Sequence, residues 1–196
     1  MTESTRRTLG LQRGPRSLHV VESVRAGTLA ELARVGFAGL TMDGVAKAAR
    51  VSRTTLYRRW PSKAALLEAV VEPLLERYET DPDTGSLAGD LLALMIVIRE
   101  NSARVEGRAL ITAVTANADE LRGLVRTAQA RTLAPFRRAL NRAVSRGDLG
   151  PDCDVDIIAY LLLQGVVMWG QTHDVPPSDD DFVRILRALL PAHAAE

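Results

Sequence analysis

Three helix-capping residues, Thr41, Ser52 and Ser62, follow one another closely in the first third of the chain, and this spacing constrains the fold more than any other feature of the sequence. Ser and Thr are preferred at helix N-caps because their hydroxyl oxygens accept hydrogen bonds from the free N–H groups of the first turn. Pro61 also ends the segment that precedes Ser62. The sequence therefore predicts two short helices at 42–49 and 53–60, and a longer one that begins at residue 63 and ends near residue 78.

The rest of the sequence also has the composition and periodicity of helices. Hydrophobic residues make up 46% of the chain and aromatic residues only 4%, and no alternating apolar run is long enough to predict a strand. A first helix is expected from Ser17 to a C-cap at Gly36, with Phe37 folded back onto its last turn. Beyond the turn-rich segment 80–85 we expect helices at 87–101, 103–116, 119–146, 155–173 and 179–192. The predicted fold is all-α with about nine helices.

Charge is distributed unevenly along the chain. The net charge is only +1, but residues 1–63 hold 12 Lys or Arg against 4 Asp or Glu, whereas the remaining residues hold 13 against 20. A basic N-terminal part on an acidic body points to a polyanionic partner for that part alone. Residues 1–16 are expected to form a flexible basic arm. Its arginines could follow a nucleic-acid backbone or enter a minor groove, although a disordered arm is the simpler interpretation: they are Arg6, Arg7, Arg13 and Arg16.

The three helices predicted within residues 17–63 have the layout of a helix-turn-helix, followed by a helical body at 64–196. An apolar centre is expected at Val45, Val51 and Leu56. The third helix then presents basic and hydroxyl side chains outward, as a helix that enters a DNA major groove does. An ordinary surface pair of helices is the alternative, but such pairs rarely carry this much basic and hydroxyl chemistry. Small side chains would let the second helix cross the third closely, and they belong to Gly44, Ala46, Ala48 and Ala49.

A family signature is spread over the residues from Gly36 to Leu67. It consists of Gly36-Phe37, Thr41-Met42-Asp43-Gly44-Val45-Ala46, Ala49-Arg50-Val51-Ser52-Arg53-Thr54-Thr55-Leu56-Tyr57, Trp60-Pro61-Ser62-Lys63 and Leu66-Leu67. This pattern resembles the N-terminal domain of TetR-type transcriptional regulators. Two positions depart from the family pattern. Arg50 stands where Gly is usual in the turn, and we expect it near the left-handed region at a cost of about 1 kcal/mol. Gly44 replaces a more usual acidic or polar residue and weakens the second helix slightly.

The resemblance implies DNA-binding roles for nine residues. Arg53 and Thr54 open the recognition helix and are expected to meet base edges, with Arg53 able to bind guanine O6 and N7. Arg58, one turn further on, is the next candidate for a base edge, and Trp60 is expected to pack beneath the helix as core. Phosphate contacts are expected from Thr41, Thr55, Tyr57, Arg59 and Lys63. Ser52, the cap of the recognition helix, completes the DNA-binding set.

The segment 155–173 is apolar on nearly all sides, and such a helix must be buried on more than one side. One domain can cover one side and a second copy of the chain the other, although a plain core helix is the alternative. TetR-type regulators dimerise through their last two helices, and the resemblance implies the same homodimer here, suited to a pseudo-palindromic operator in double-stranded DNA. The interface is expected at Ile158, Leu162, Val166, Trp169, Phe182, Ile185, Leu186 and Leu189.

The resemblance also implies a small molecule, apolar or aromatic, that binds in the helical body and releases the DNA. Met95, Arg99 and Trp169 are candidates for its pocket, although each is as readily explained as core or surface. A DNA-binding architectural protein or an activator without an inducer is an alternative function, and it would lack a pocket of about 300 Å³ or more.

Catalytic and metal chemistry find no support in the sequence. His19, His173 and His193 lack metal-ligand spacing, and no nucleophile constellation or Gly-rich phosphate loop is present. We therefore expect no cofactor and no enzyme, although a helical enzyme with a chance basic hairpin is a third alternative.

The single Cys153 fits a reducing cytoplasm, and its acidic neighbours are expected to raise its pKa. The longest nearly uncharged apolar run, 157–170, is shorter than the roughly 20 residues that span a bilayer, and the N-terminus has no apolar signal region. We expect a cytoplasmic protein with no membrane partner.

Overall fold

A computed structural model describes residues 15–115 and 119–190 of the chain. Over these ranges the backbone forms nine α-helices, a 3-10 turn at Asp119–Leu121 and no strand, so the all-α prediction is confirmed. The helices are α1 (Pro15–Gly39), α2 (Met42–Ala48), α3 (Arg53–Arg59), α4 (Lys63–Tyr78), α5 (Leu87–Ser102), α6 (Val105–Thr115), α7 (Arg122–Arg146), α8 (Val155–Thr172) and α9 (Asp179–Leu189). Arg6, Arg7 and Arg13 of the predicted arm lie outside the described residues, as do Ala116, Ala192 and His193.

Threonine and serine hydroxyl groups cap the N-termini of α2, α3 and α4, as the sequence predicts. The side chains of Thr41, Ser52 and Ser62 accept hydrogen bonds from the backbone N–H groups of Gly44, Thr55 and Ala65, at 3.0, 3.1 and 3.1 Å. The backbone of α1 leaves the helical region at Gly36, where φ is 67° and ψ is 179°. This break turns the chain so that the side chain of Phe37 is buried, as predicted.

The turn between α2 and α3 contains the left-handed residue that the sequence predicts. Arg50 has φ 54°, the one positive φ at a non-glycine residue in the described part of the chain. The N–H of Val51 donates to the Ala46 carbonyl at 3.0 Å, and the N–H of Arg50 donates to the Lys47 carbonyl at 3.2 Å. These two bonds are those of a Schellman C-cap, which requires a left-handed residue at the position of Arg50.

Residues 17–63 are called the head, and the apolar centre predicted for it is confirmed. The small residues of α2, however, do not all lie at the contact with α3. Val45 and Leu56 are fully buried, and Val51 packs against them half-buried. A Cβ atom at Gly44 would lie 2.4 Å from Glu31 Oε1 of α1, and one at Gly27 of α1 would lie 2.7 Å from the backbone nitrogen of Ala49. Gly27 and Gly44 therefore allow α1 and α2 to approach each other closely. The expectation that Gly44 serves the crossing with α3 was wrong, and Ala48 is exposed.

Helix α4 joins the head to the body, because it packs against α1 on one side and against α5, α6 and α7 on the other. Helix α5 lies at the centre of the body, in contact with α4, α6, α7, α8 and α9. Asp90 of α5 is 2% exposed and accepts hydrogen bonds from the backbone N–H and the hydroxyl of Thr84 and from Arg142 of α7. Burial raises the pKa of Asp90, but these hydrogen bonds lower it further, so the net pKa lies below its usual value.

Candidate nucleic-acid interface and adjoining cavity

The outer face of α3 carries the side chains that the sequence assigns to DNA. Arg53, Thr54, Tyr57, Arg58 and Arg59 are exposed, and Thr55 is half-buried. Leu56, on the opposite side of the same helix, is fully buried, and Trp60 at its end is 8% exposed. The buried pair fixes the rotation of α3, so its basic and hydroxyl groups all point away from the core. The structure thus brings the predicted α3 residues onto one solvent-facing surface, and Trp60 is core as predicted.

Three of the predicted DNA-binding cations already have partners within the chain. Arg53 forms an ion pair with Asp43 of α2, and the Arg59 guanidinium donates to Ser17 Oγ of α1 at 2.9 Å. Lys63 Nζ lies 3.3 Å from Glu120 Oε1 and 4.8 Å from the ring centroid of Phe37. A phosphate or base would have to compete with a carboxylate for Arg53 and Lys63, and with a hydroxyl group for Arg59. The contact between Lys63 and Glu120 was not predictable from the sequence, because these residues are far apart in the chain.

A cavity of about 290 Å³ lies in the body between the end of α4 and helices α5, α6, α7 and α8. Most of its wall is apolar, with Ile98, Leu110, Val125, Leu163 and Val167 among the lining side chains. Tyr78, Ser102, Gln129, Thr132, Tyr160 and Gln164 add hydroxyl and amide groups. Burial raises the pKa of Tyr78 to about 12, against the opposing effect of a hydrogen bond with Ser102.

The candidate pocket residues named from the sequence do not line this cavity. Met95 is fully buried in the core. Arg99 donates to the Pro177 carbonyl at 3.0 Å and to Asp179 at 2.6 Å, which ties α5 to the start of α9. The ring of Trp169 stacks on His173 with the centroids 4.2 Å apart. The sequence signal for the real lining was Gln164, a polar side chain within the apolar run of α8, and the cavity itself depends on how five helices meet.

The predicted interface residues of α8 and α9 divide into two groups. Ile158, Trp169, Ile185 and Leu189 are half-buried and remain available to a partner. For the other four the interface prediction was wrong, because they are at most 4% exposed in the single chain and belong to its own core: they are Leu162, Val166, Phe182 and Leu186. The outward face of α8 carries a different set, which is 39–56% exposed: Ile157, Tyr160, Leu161 and Met168.

Helix α6 connects the cavity to the head. Gly107, Leu110 and Ile111 line the cavity, and α6 also packs against α1 and α4. Glu106 of α6 forms an ion pair with Arg25 of α1, and both side chains are less than a fifth exposed. Gly107 is required at the start of this helix, because a Cβ atom there would lie 2.1 Å from the Asn101 carbonyl oxygen. Because α6 contacts α1 through this ion pair, a displacement of α6 would directly affect the position of the head.

Other chemistry suggested by single residues is limited. The described residues contain no group of His, Cys, Asp and Glu side chains that could hold a metal ion. Cys153 has a raised pKa, as predicted, but burial contributes more to the shift than the charge of Asp154 does. No described helix is long and apolar enough to cross a membrane.

Comparisons with known proteins agree with this geometry. Residues 24–70 match the family model of bacterial regulatory proteins of the tetR family, and residues 81–189 match that of the tetracyclin repressor-like C-terminal domain. The DNA-binding transcriptional repressor TetR of Mycobacteroides abscessus is 32% identical over 166 residues, which are 81% of this chain and 84% of that protein.

Two solved structures share the fold at 17% identity. One is the transcriptional regulator FadR from Bacillus subtilis in complex with stearoyl-CoA, with a TM-score of 0.70 over 87% of this chain and 98% of that chain. The other is AibR in complex with isovaleryl coenzyme A and operator DNA, with a TM-score of 0.65 over 88% of this chain and 98% of that chain. The two family models and the repressor from Mycobacteroides abscessus establish the assignment: this chain belongs to the TetR family and is a DNA-binding transcriptional regulator.

Proposed function

We propose that the protein is a homodimeric repressor, released from a pseudo-palindromic operator when a small, mostly apolar molecule occupies the cavity of the body. The observation that carries this proposal is the double role of α6, which lines the cavity and is bound to α1 through the Glu106–Arg25 ion pair. A ligand that shifts α6 would tilt the head and change the orientation of α3. Two solved structures with this fold are complexes of this kind: FadR binds stearoyl-CoA, and AibR binds isovaleryl coenzyme A and operator DNA.

On the DNA side, we propose that Arg53, Thr54 and Arg58 contact bases. Phosphate contacts are proposed for Thr41, Thr55, Tyr57, Arg59 and Lys63, and Ser52 completes the DNA-binding set. Exposure on one surface supports these roles. The Lys63–Glu120 pair links the start of α4 to the segment just before α7. A change of the body that brings Glu120 closer would withdraw Lys63 from a phosphate, which gives the ligand a second route to the DNA interface.

The homodimer is proposed from the exposed apolar side chains of α8. Ile157 and Leu161 lie one turn apart on the exposed side of α8, and Met168, which also borders the cavity, continues this side. Exposed apolar residues at this spacing are typical of a helix that packs against another helix. Two copies related by a two-fold axis would cover this face and present two α3 helices to two half-sites. Such a regulator acts in the cytoplasm, where the chromosome is, and needs no catalytic activity.

The alternative without an inducer requires a filled body. The cavity of about 290 Å³ argues against it, because this volume lies at the lower end of the range of small-molecule sites, about 300–1,000 Å³. The test is to select the operator from random DNA with the purified protein and then to screen apolar metabolites by thermal shift. Each hit should weaken the operator complex about 5- to 150-fold, which corresponds to a coupling of about 1–3 kcal/mol.

A cavity-filled variant supplies the matched control. Val167 lines the cavity and is half-buried, so Val167→Phe should occupy part of the ligand's space. Hits should then no longer raise its melting temperature or release it from DNA. Hits that stabilise the wild type but leave its operator affinity unchanged would contradict the repressor switch and favour the inducer-free alternative.

A further inference from the structure

The described residues that line the cavity include no Asp, Glu, Lys, Arg or His. Two arginines on helices that line the cavity are paired with carboxylates elsewhere: Arg131 of α7 is bound to Glu72 and Glu79, and Arg99 of α5 is bound to Asp179. A carboxylate or phosphate placed in the cavity would lose its hydration without gaining a counter-charge. Burial of an unpaired charge is strongly unfavourable. The wall therefore selects against anions, even though it belongs to a fold that elsewhere accommodates coenzyme A thioesters.

Two glutamine amides interrupt the apolar wall, Gln129 from α7 and Gln164 from α8. Both side chains are half-buried, and neither makes a hydrogen bond to another described residue. Thr132, on the same helix as Gln129, already donates its hydroxyl proton to the Ala128 carbonyl at 2.8 Å. Each amide offers both a donor and an acceptor, so the pair can satisfy a neutral polar group on a ligand without any charge.

The size of the cavity limits the ligand further. A dry protein cavity of roughly 150 Å³ holds benzene, which has six non-hydrogen atoms. At about 290 Å³ the present cavity has room for roughly twice as many, on the order of a dozen. That is enough for a medium-length acyl chain or a substituted aromatic ring, and far too little for a complete coenzyme A ester.

We propose that the effector is an uncharged molecule of about a dozen non-hydrogen atoms, whose one amide, ester, ketone or hydroxyl group is hydrogen-bonded by Gln129 and Gln164. Free carboxylates and coenzyme A thioesters are excluded. The inference rests on the proposed function, in that the cavity is taken as the effector site, and it adds the chemical class of the ligand.

The test compares four probes on the full-length protein at pH 8 by isothermal titration calorimetry. Decanamide and decanoate have the same number of non-hydrogen atoms and differ in charge, n-butylbenzene has no polar group, and decanoyl-CoA carries the full coenzyme. We expect decanoate to bind at least about tenfold more weakly than decanamide, because its charge finds no partner, and decanoyl-CoA not to bind. Gln164→Leu and Gln129→Leu should each weaken the binding of decanamide about tenfold, since each removes a hydrogen bond to its amide group. Both variants should bind n-butylbenzene at least as well as the wild type, which also shows that they are folded.

The outcomes separate this inference from the proposed function. Equal or tighter binding of decanoate or decanoyl-CoA, an unchanged decanamide affinity in both leucine variants, or no binding of decanamide at millimolar concentration would each overturn the inference. Operator titrations with the same probes test the switch independently. Decanamide that binds with the expected selectivity but leaves operator affinity unchanged would refute the repressor switch while the ligand class stands. Gln164→Lys should place a cation in the wall and reverse the preference, so that decanoate binds more tightly than decanamide.

Discussion

Leu161 and Leu162 are adjacent on α8 but differ in the surroundings that the fold gives them. Leu161 is 43% exposed in the single chain, whereas Leu162 is fully buried. If a second copy covers the outer face of α8, truncation of Leu161 should weaken the dimer and truncation of Leu162 should weaken the fold. The two variants, Leu161→Ala and Leu162→Ala, have the same chemistry and serve as controls for each other.

The expected magnitudes follow from these exposures. Complete burial of a leucine side chain is worth about 1.5–3 kcal/mol, so covering the exposed 43% of Leu161 would contribute about 0.6–1.3 kcal/mol per chain. Two-fold symmetry doubles this to about 1.3–2.6 kcal/mol, which corresponds to an increase of about 10- to 80-fold in the dimer dissociation constant. Leu162→Ala leaves a cavity in the core, and it should lower the free energy of unfolding by about 2.7–5 kcal/mol.

Sedimentation equilibrium measures the dissociation constant, and urea denaturation at one fixed protein concentration measures the unfolding free energy. The concentration must be matched, because dissociation of a dimer contributes to apparent stability. A wild type that is monomeric at micromolar concentration would refute the assignment of this face to a second copy. So would a Leu161→Ala variant that dimerises as tightly as the wild type.

Three further predictions concern the head, its contact with the body, and the buried carboxylate. Arg53→Ala should relax base preference at one position per half-site, at a cost of about 1–3 kcal/mol. Lys63→Ala should weaken binding to all DNA sequences alike and reduce the salt dependence of binding. The two variants are compared by titration on matched and scrambled sites, and an equal loss of specificity in both would contradict these roles. Glu120→Gln removes the carboxylate that pairs with Lys63 and should tighten binding to any DNA duplex about two- to fivefold. Fluorescence anisotropy measures this affinity, and an unchanged affinity would mean that the ion pair does not affect DNA binding. Asp90→Asn should lower the unfolding free energy at pH 7 by about 1–3 kcal/mol. Because its folded pKa is below the usual value, the charged form of Asp90 stabilises the fold above that usual value and loses this effect as the pH falls through the lower one. Urea titrations of the wild type and Asp90→Asn should therefore converge in acid, and a difference that persists at low pH would contradict the ion-pair explanation.

The helices and the recognition turn were predictable because their signals are local. Caps such as Ser52 and the left-handed position of Arg50 depend on a few neighbouring residues, and the structure places both as expected. The partners of Gly44 were not predictable, because a small residue indicates a close approach without saying which helix approaches. The same limit applies to α8. A helix that is apolar on nearly all sides has no period to separate its core side from its outer side, so Leu162 and Leu161 could be distinguished only in the folded chain.

The lining of the cavity shows most clearly what local sequence patterns cannot predict. Residues from five helices meet there, and no single segment carries the pattern of a ligand site. Gln129 and Gln164 lie on different helices, and although Gln164 interrupts an apolar run, neither residue alone indicates a ligand site. Only the packing of α7 and α8 places both amides in one wall.

The ion pair between Arg25 and Glu106 limits which chimaeras can be made by joining the head of a related protein to the body of this one. A graft that joins a new head to this body at one point in the sequence would replace Arg25 but keep Glu106. Here the graft would also have to carry a matching residue opposite position 106, because a foreign α1 without the arginine would leave a partly buried carboxylate unpaired. The double variant with Arg25→Glu in the head and Glu106→Arg in the body exchanges the two charges, and it should be released from DNA by the ligand as the wild type is. Either substitution alone should uncouple ligand binding from DNA release.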